Sequence, residues 1–292
     1  MEFFALDLTS IFPLIAAGDV SMQAAPFFKG LGFLTNSVFV SAVTLLVILW
    51  VTRRATKNMQ LVPGRSQNFV ELVVEFLYGQ VKDILGDRVG RQMFPLLATM
   101  FIFIVIANWS GLLPGVGTIG WTSGEMLAPF THSIVEVPLI RPATADLNLT
   151  LGVALAFMLV WVWVTWKELG LIGFIKHVFA PKGGLGILGY ILLPIFIFVG
   201  LIELLSIMLR PVSLSLRLYG NVFAGESLLH AMGALGATFG LGSVGSFILS
   251  ILAPLPFYFL ELLVGILQAL VFTLLCAVYI QGSMHHDEEE DH

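Results

Sequence analysis

Apolar residues in this chain run on in unbroken blocks instead of recurring on one face. Residues 31–51 contain no charge before Thr52-Arg53-Arg54, and residues 94–113 and 147–166 are equally uncharged, the last ended by Lys167. Each block is about the 20 residues that a helix needs to cross a bilayer. Only helices and closed barrels satisfy their backbone polar groups in lipid, so three spanning helices are expected here. Between the first two blocks, residues 63–91 read differently. Phe69, Leu72, Val73, Phe76, Leu77, Ile84 and Leu85 recur there at helical spacing, with Glu71, Glu75, Lys82 and Asp83 on other faces. That pattern predicts an amphipathic helix lying at the membrane interface, or packed on a partner subunit.

The C-terminal third is more apolar still. From 183 to 284 the only charged residues are Glu203, Arg210, Arg217, Glu226 and Glu261, and a Gly-rich patch at 233–245 divides the stretch. As single helices, 187–232 and 246–281 would be about 69 Å and about 54 Å long, against a hydrocarbon layer of about 30 Å. Pro194, Pro211, Pro254 and Pro256 permit breaks, yet no polar loop separates the halves. The expectation is therefore a hairpin of two long, strongly tilted helices turning near 233–245, with Gly220, Gly225 and Gly265 letting them approach closely. The fold class is an all-α polytopic membrane protein.

Composition supports this. The 292 residues are 58% hydrophobic and 11% charged, with a mean hydropathy of +0.95. There are 14 Lys plus Arg and 19 Asp plus Glu, where an average soluble chain of this length would carry about 73 charged residues. A cytosolic enzyme, a disordered chain and a nucleic-acid binder are excluded. The net charge of −5 equals the acidic run from Asp287 to Asp291, which reads as a solvated tail. Cys276 is the only cysteine, so there is no disulfide framework or thiolate metal site. Residues 1–20 lack the basic start of a cleaved signal peptide.

Loop charges predict orientation. Residues 53–91 carry seven basic side chains and 167–182 carry three, against only Lys29 and Arg141 on the other side. By the positive-inside rule the two basic loops are cytoplasmic and the N-terminus lies outside. Residues 1–30 then form an external segment, 31–286 one integral membrane domain, and 287–292 a cytoplasmic acidic tail. Trp109, Trp161, Trp163 and Trp166 fall near span ends, as interfacial anchors do.

Function should reside in the charges of the final hairpin, because an ionisable group at mid-membrane costs roughly 2.5–3.5 kcal/mol on insertion scales. Glu203, Arg210 and Arg217 are seven apart and Asn221 continues their stripe. Arg217 has no acid three or four residues away and cannot lose its proton, so it needs a carboxylate from elsewhere. Arg210, beside Pro211, is expected to snorkel toward water. Glu226 has His230 at i+4, a spacing that suits a shared proton. Glu261 and Gln268 share a face of the last helix. Asn221, Glu226, His230, Glu261 and Gln268 can therefore line one polar passage. An intramembrane enzyme is disfavoured, since no His-Glu-x-x-His or Gly-x-Ser-x-Gly motif occurs. A secondary transporter would show matching halves, and none are visible. Gly240-x-Gly242-x-x-Gly245 follows no strand and reads as the hairpin turn.

The run Arg210-Pro-Val-Ser-Leu-Ser-Leu-Arg217-Leu-Tyr-Gly-Asn221-Val-Phe-Ala-Gly-Glu226 resembles the signature of subunit a of the rotary F-type ATP synthase, bacterial type. Pro142-Ala-Thr-Ala-Asp146-Leu-Asn148-Leu-Thr150, the segment 103–114 with Asn108 and Gly111, and Leu267-Gln268-Ala269 agree with it, so the resemblance covers roughly 63–281. It implies a non-catalytic, proton-translocating stator subunit of the Fo motor in the bacterial inner membrane. Arg217 would face the essential carboxylates of the rotating c-subunit ring. Asn221, Glu226 and Gln268 would border the periplasmic half-channel, joined here by His230 and Glu261, and Glu203 the cytoplasmic one. Some enterobacterial members carry His where this chain has Glu261 and lack one at the position of His230. The c-ring, peripheral-stalk b subunits, other synthase subunits and the bilayer are the implied partners, with no nucleic acid, metal or cofactor.

Overall fold

The computed structural model describes residues 35–57, 59–60, 62–113, 116, 120–122, 125–127, 137–138, 141–179, 193–239 and 242–284. Residues 1–30 and the tail 287–292 lie outside the described residues, as does Gly240 of the Gly-rich turn. Helix α1 spans Asn36–Thr56, with the Thr35 hydroxyl accepting from the Val38 N–H at its start and Arg53 and Arg54 in its last turn. These termini complement the helix dipole and the orphan N–H groups. Helix α2, Arg65–Ser110, is 46 residues long and contains one non-helical residue, Gly86 (φ 73, ψ 175). Only glycine reaches that conformation at low cost. The break divides an amphipathic half from an apolar half, and it lies before the boundary near 91–94 that charge alone suggested. Within the amphipathic half, Leu77 and Val81 are buried, whereas Phe69, Leu72 and Phe76 are exposed.

After α2 comes a small antiparallel sheet, with β1 (Gly120–Thr122) between β2 (Glu125–Leu127) and β3 (Val137–Pro138). No pattern in the sequence announces it, because strands of two or three residues are too short to show alternation. A 3-10 turn at Ala143–Ala145 then leads into α3, Leu147–Phe179, whose own break is Gly170 (φ 68, ψ 170). Helix α4, Leu193–Thr238, runs 46 residues without interruption, Pro211 included. The return arm, expected as one helix, is two: α5 (Gly242–Leu252) and α6 (Leu255–Met284), separated by Ala253 and Pro254. Pro254 has no N–H to continue α5, and its ring disfavours helical backbone in the residue before it.

Among the described residues, five segments are long and apolar enough to cross a membrane: Asn36–Thr56, Arg65–Ser110, Leu147–Lys167, Pro194–Leu235 and Val244–Gly282. The spanning part is all helical. α2 packs along α6, α3 packs along α4, and α4 folds back against both α5 and α6. The 3-10 turn touches α1, α2, α3 and α4 and so plugs the bundle at one end. Leu97, Ile104, Phe157, Leu214, Leu218 and Phe272 fill the common core and are fully buried. At the basic ends of the first and third candidate spans, Arg54 lies 5.6 Å from the Trp50 ring centroid and Lys167 lies 5.6 Å from that of Trp163. Such pairs let a long cationic side chain lie over an aromatic ring while its head stays exposed.

Candidate functional site

The packed face of α4 carries Pro211, Leu214, Leu218, Val222 and Gly225, all buried. That is the i, i+3, i+4 recurrence of a helix pressed against neighbours on one side. Arg217 falls on the other side, exposed among Val212, Leu216 and Gly220. No hydrogen bond or ion pair joins it to another described residue. Among the described residues, a permanently charged group thus stands without a partner on an otherwise apolar helix face.

At the edge between the two faces, α4 and α6 exchange polar contacts. Asn221 Nδ2 donates to Gln268 Oε1 at 2.6 Å, and Gln268 is 6% exposed. Gln268 Nε2 is buried without a partner, and so is Glu226 Oε2 one and a half turns further along α4. The Glu261 carboxyl lies directly against the α4 backbone at Gly225, where any side chain would overlap it. An unpaired buried donor and an unpaired buried acceptor cost free energy unless water or a titrating proton reaches them. The structure thus brings Asn221, Glu226, Glu261 and Gln268 to the α4–α6 interface.

One expected member stands apart. His230 is exposed and makes no hydrogen bond with Glu226, so the i+4 pair does not form. Four residues advance about 40° beyond a full turn, which carries His230 past the edge at which Glu226 sits. Glu203 is half-buried on the same helix, about 21 Å before Arg217 and about 35 Å before Glu226 along the axis. Two glycines also act differently from expectation. Gly225 does allow close approach of α4 and α6, but Gly220 faces open space. Gly265 serves α2 instead, its missing Cβ leaving room for Trp109 at 3.3 Å.

The α2–α6 contact sets how α6 is turned. Asn108 Nδ2 donates to the Gly265 carbonyl at 3.2 Å, Trp109 Nε1 donates to the Leu262 carbonyl at 3.2 Å, and the Thr144 hydroxyl donates to Asn108 Oδ1 at 2.8 Å. These bonds tie α6 to α2 and the 3-10 turn, and so aim Glu261 and Gln268. The sequence reading did not assign Asn108 or Thr144 this task. Arg141 and Asp146, counted there only as loop charges or motif letters, are buried at 4% and 6% exposure. Both lie within electrostatic reach of Tyr219, as does Glu226. Asp146 also caps α3, its Oδ1 accepting the Asn148 N–H at 3.0 Å. Their placement in a motif flanked by apolar residues was the available signal. Arg210 does not snorkel freely: its guanidinium carbon lies 5.7 Å from the Trp161 ring centroid and 4.6 Å from that of Tyr279.

Comparison with known proteins gives the family. The family described as ATP synthase A chain matches residues 35–281. The protein named ATP synthase subunit a of Gloeobacter violaceus is 29% identical over 280 residues, covering 96% of each chain. Its namesake in Protochlamydia amoebophila is 32% identical over 257 residues, covering 88% of this chain and 82% of the relative. That of Beijerinckia indica is 32% identical over 263 residues, covering 86% and 87%. A family match across all five candidate spans, with the polar α4–α6 contact inside it, places this chain in the ATP synthase A chain family.

Proposed function

We propose that the chain is the proton-translocating stator subunit of the bacterial synthase's membrane motor, seated beside a ring of c subunits and held by the peripheral-stalk b subunits. The observation that carries this is Arg217: an exposed guanidinium on an apolar helix face with no described partner. A cation so placed is tolerable when a carboxylate on a neighbouring chain meets it. The ring's carboxylates have that chemistry. The basic loops lie on the cytoplasmic side, with the N-terminus periplasmic and the C-terminus cytoplasmic.

A proton enters through the passage bordered by Asn221, Glu226, Glu261 and Gln268, with His230 at its margin, and neutralises a ring carboxylate, which then tolerates lipid. Rotation carries loaded sites round to a second passage near Glu203, where the proton leaves. Arg217 holds the emptied carboxylate between the two and keeps protons from passing straight across. One charge falling through 100 mV releases about 2.3 kcal/mol, so several protons serve each ATP. The subunit itself makes and breaks no covalent bond.

Replacing Arg217 with Ala in the assembled complex is expected to abolish proton-driven ATP synthesis in vesicles while the subunit still inserts. Synthesis at the parental rate by that variant overturns the proposal. Running the parental complex with and without Na⁺ distinguishes a proton from a sodium current.

A further inference from the structure

Arg210 and Arg217 are separated by seven residues, which is about 20° short of two full turns. On an unbroken helix they therefore point almost the same way, two turns apart. The structure treats them oppositely. Arg217 is exposed and has no partner among the described residues, whereas Arg210 is half-buried and turned onto α3 and α6. Its azimuth lies at the border of the packed face, so the side chain could lie on either side of α4. What holds it inward is a pair of aromatic rings. Both centroids are inside the ~6 Å range over which a ring face attracts a cation. Trp161 is itself buried, and its Nε1 donates at 2.9 Å to the backbone carbonyl of Tyr279, fixing the Trp161 ring to α6 where the Tyr279 ring projects.

We infer that Trp161 and Tyr279 are specificity-determining residues that sequester Arg210, leaving Arg217 as the single guanidinium offered to the passing carboxylates. The inference rests on the proposed role of Arg217. An arginine cannot discharge itself. Released from the rings, Arg210 would extend onto the outer face as a second permanent cation. It would hold an emptied carboxylate two turns from Arg217, out of line with the entry passage, and delay its reprotonation. The aromatic pair neutralises this hazard without supplying a carboxylate, which inside the subunit would open a competing proton site.

The test is made on the assembled complex in vesicles, with ATP-driven proton pumping normalised to complex content. Trp161→Leu/Tyr279→Leu is expected to slow pumping about tenfold, the factor that one added charge-assisted pairing of ordinary strength puts on a release step. Arg210→Gln alone is expected to stay within about twofold of the parent, and adding it to the double variant is expected to bring pumping back to that level. Recovery on removal of the arginine is what a mere packing role for the rings would not give. Pumping at the parental rate by the double variant overturns the inference, and so does a triple variant no faster than the double. Should the double variant fail to assemble, Tyr279→Leu with and without Arg210→Gln gives the same comparison at a half-buried position. Arg217→Ala measured alongside separates the two ideas. If that variant still pumps, the role of Arg217 itself fails, whereas its loss without recovery by Arg210→Gln removes only the sequestration.

Discussion

Gly225→Ala is the smallest change that tests whether the α4–α6 polar contact must keep its shape. The added Cβ would overlap the Glu261 carboxyl group, so either that carboxyl rotates away or the helices part. Overpacking of this kind costs about 1–3 kcal/mol. Alanine in a helix interior returns about 1 kcal/mol over glycine. The net loss of about 0–2 kcal/mol is small enough for the subunit to insert and the complex to assemble. The effect on turnover is expected to be far larger, because a misplacement of about 1 Å at a reacting group costs roughly a hundredfold in rate. Gly152→Ala is the control, since Gly152 is exposed on α3 with nothing near its missing Cβ. Purified complexes in vesicles would be compared for ATP-driven pumping at equal subunit content. Gly225→Ala/Glu261→Asp shortens the facing carboxyl by one methylene and is expected to recover much of the lost rate. Parental pumping by Gly225→Ala, or no recovery in the double variant, would show that the position of Glu261 is not what the close approach protects.

Other changes follow from the same geometry. Asn221→Ala removes the donor to Gln268 Oε1 and leaves a buried amide with neither hydrogen bond made, so thermal stability in detergent is expected to fall by about 1–3 kcal/mol and pumping to fall with it. Gly86→Ala forces a side chain into backbone at φ 73, ψ 175, a strain of about 1–3 kcal/mol; a spin-label distance across the break is expected to change as α2 straightens. Glu203→Ala and Glu261→Ala should be sensitive to opposite faces of the membrane. Residual pumping in the first is expected to respond to pH on the cytoplasmic side alone, and in the second to pH on the periplasmic side alone. Responses to the same side would overturn the assignment of two separate passages.

What the sequence made legible was whatever is written in consecutive residues. Uncharged blocks located α1, the second half of α2 and the first part of α3, because a helix in lipid must be apolar along the length it spans. The seven-residue intervals among Glu203, Arg210 and Arg217, and between Glu261 and Gln268, put each set on one stripe. The break at Gly86 was not legible, since glycine in a helical pattern fits a helix interior as readily as a kink. Pro254 and Pro256 marked a permitted break in the return arm, but only packing decides whether a proline kinks a helix or ends it. Asn221 and Gln268 are joined across 47 residues, and helical spacing could say only that each was available. His230 shows the limit most clearly. Four-residue spacing makes it a neighbour of Glu226 but carries no information about where α6 lies. The burial of Arg141 and Asp146, and the hold of Asn108 on the Gly265 carbonyl, depend on α2, the 3-10 turn and α6 meeting at one place.

The continuity of α4 connects these observations. Pro211 removes a hydrogen-bond donor in the middle of the helix, yet the helix passes through it without a break. Pro211 is buried on the packed face, with Leu214 and Leu218 following it there, so contact with α3 and α6 holds the line that the lost hydrogen bond would otherwise weaken. An unbroken run matters because it sets Glu203, Arg217 and Glu226 at about 21 Å and about 14 Å intervals along the helix, longer together than the hydrocarbon layer is thick. Upright, such a helix would put the two carboxylates near opposite surfaces. Steeply tilted, it brings both within the membrane but displaces them sideways, with the arginine between. On the proposed function that sideways displacement is what turns proton flow into rotation: a site loaded at one end of the helix must travel around the ring to be emptied at the other. A break in the helix at Pro211 would shorten the displacement, which gives a physical reason for packing its surroundings so closely.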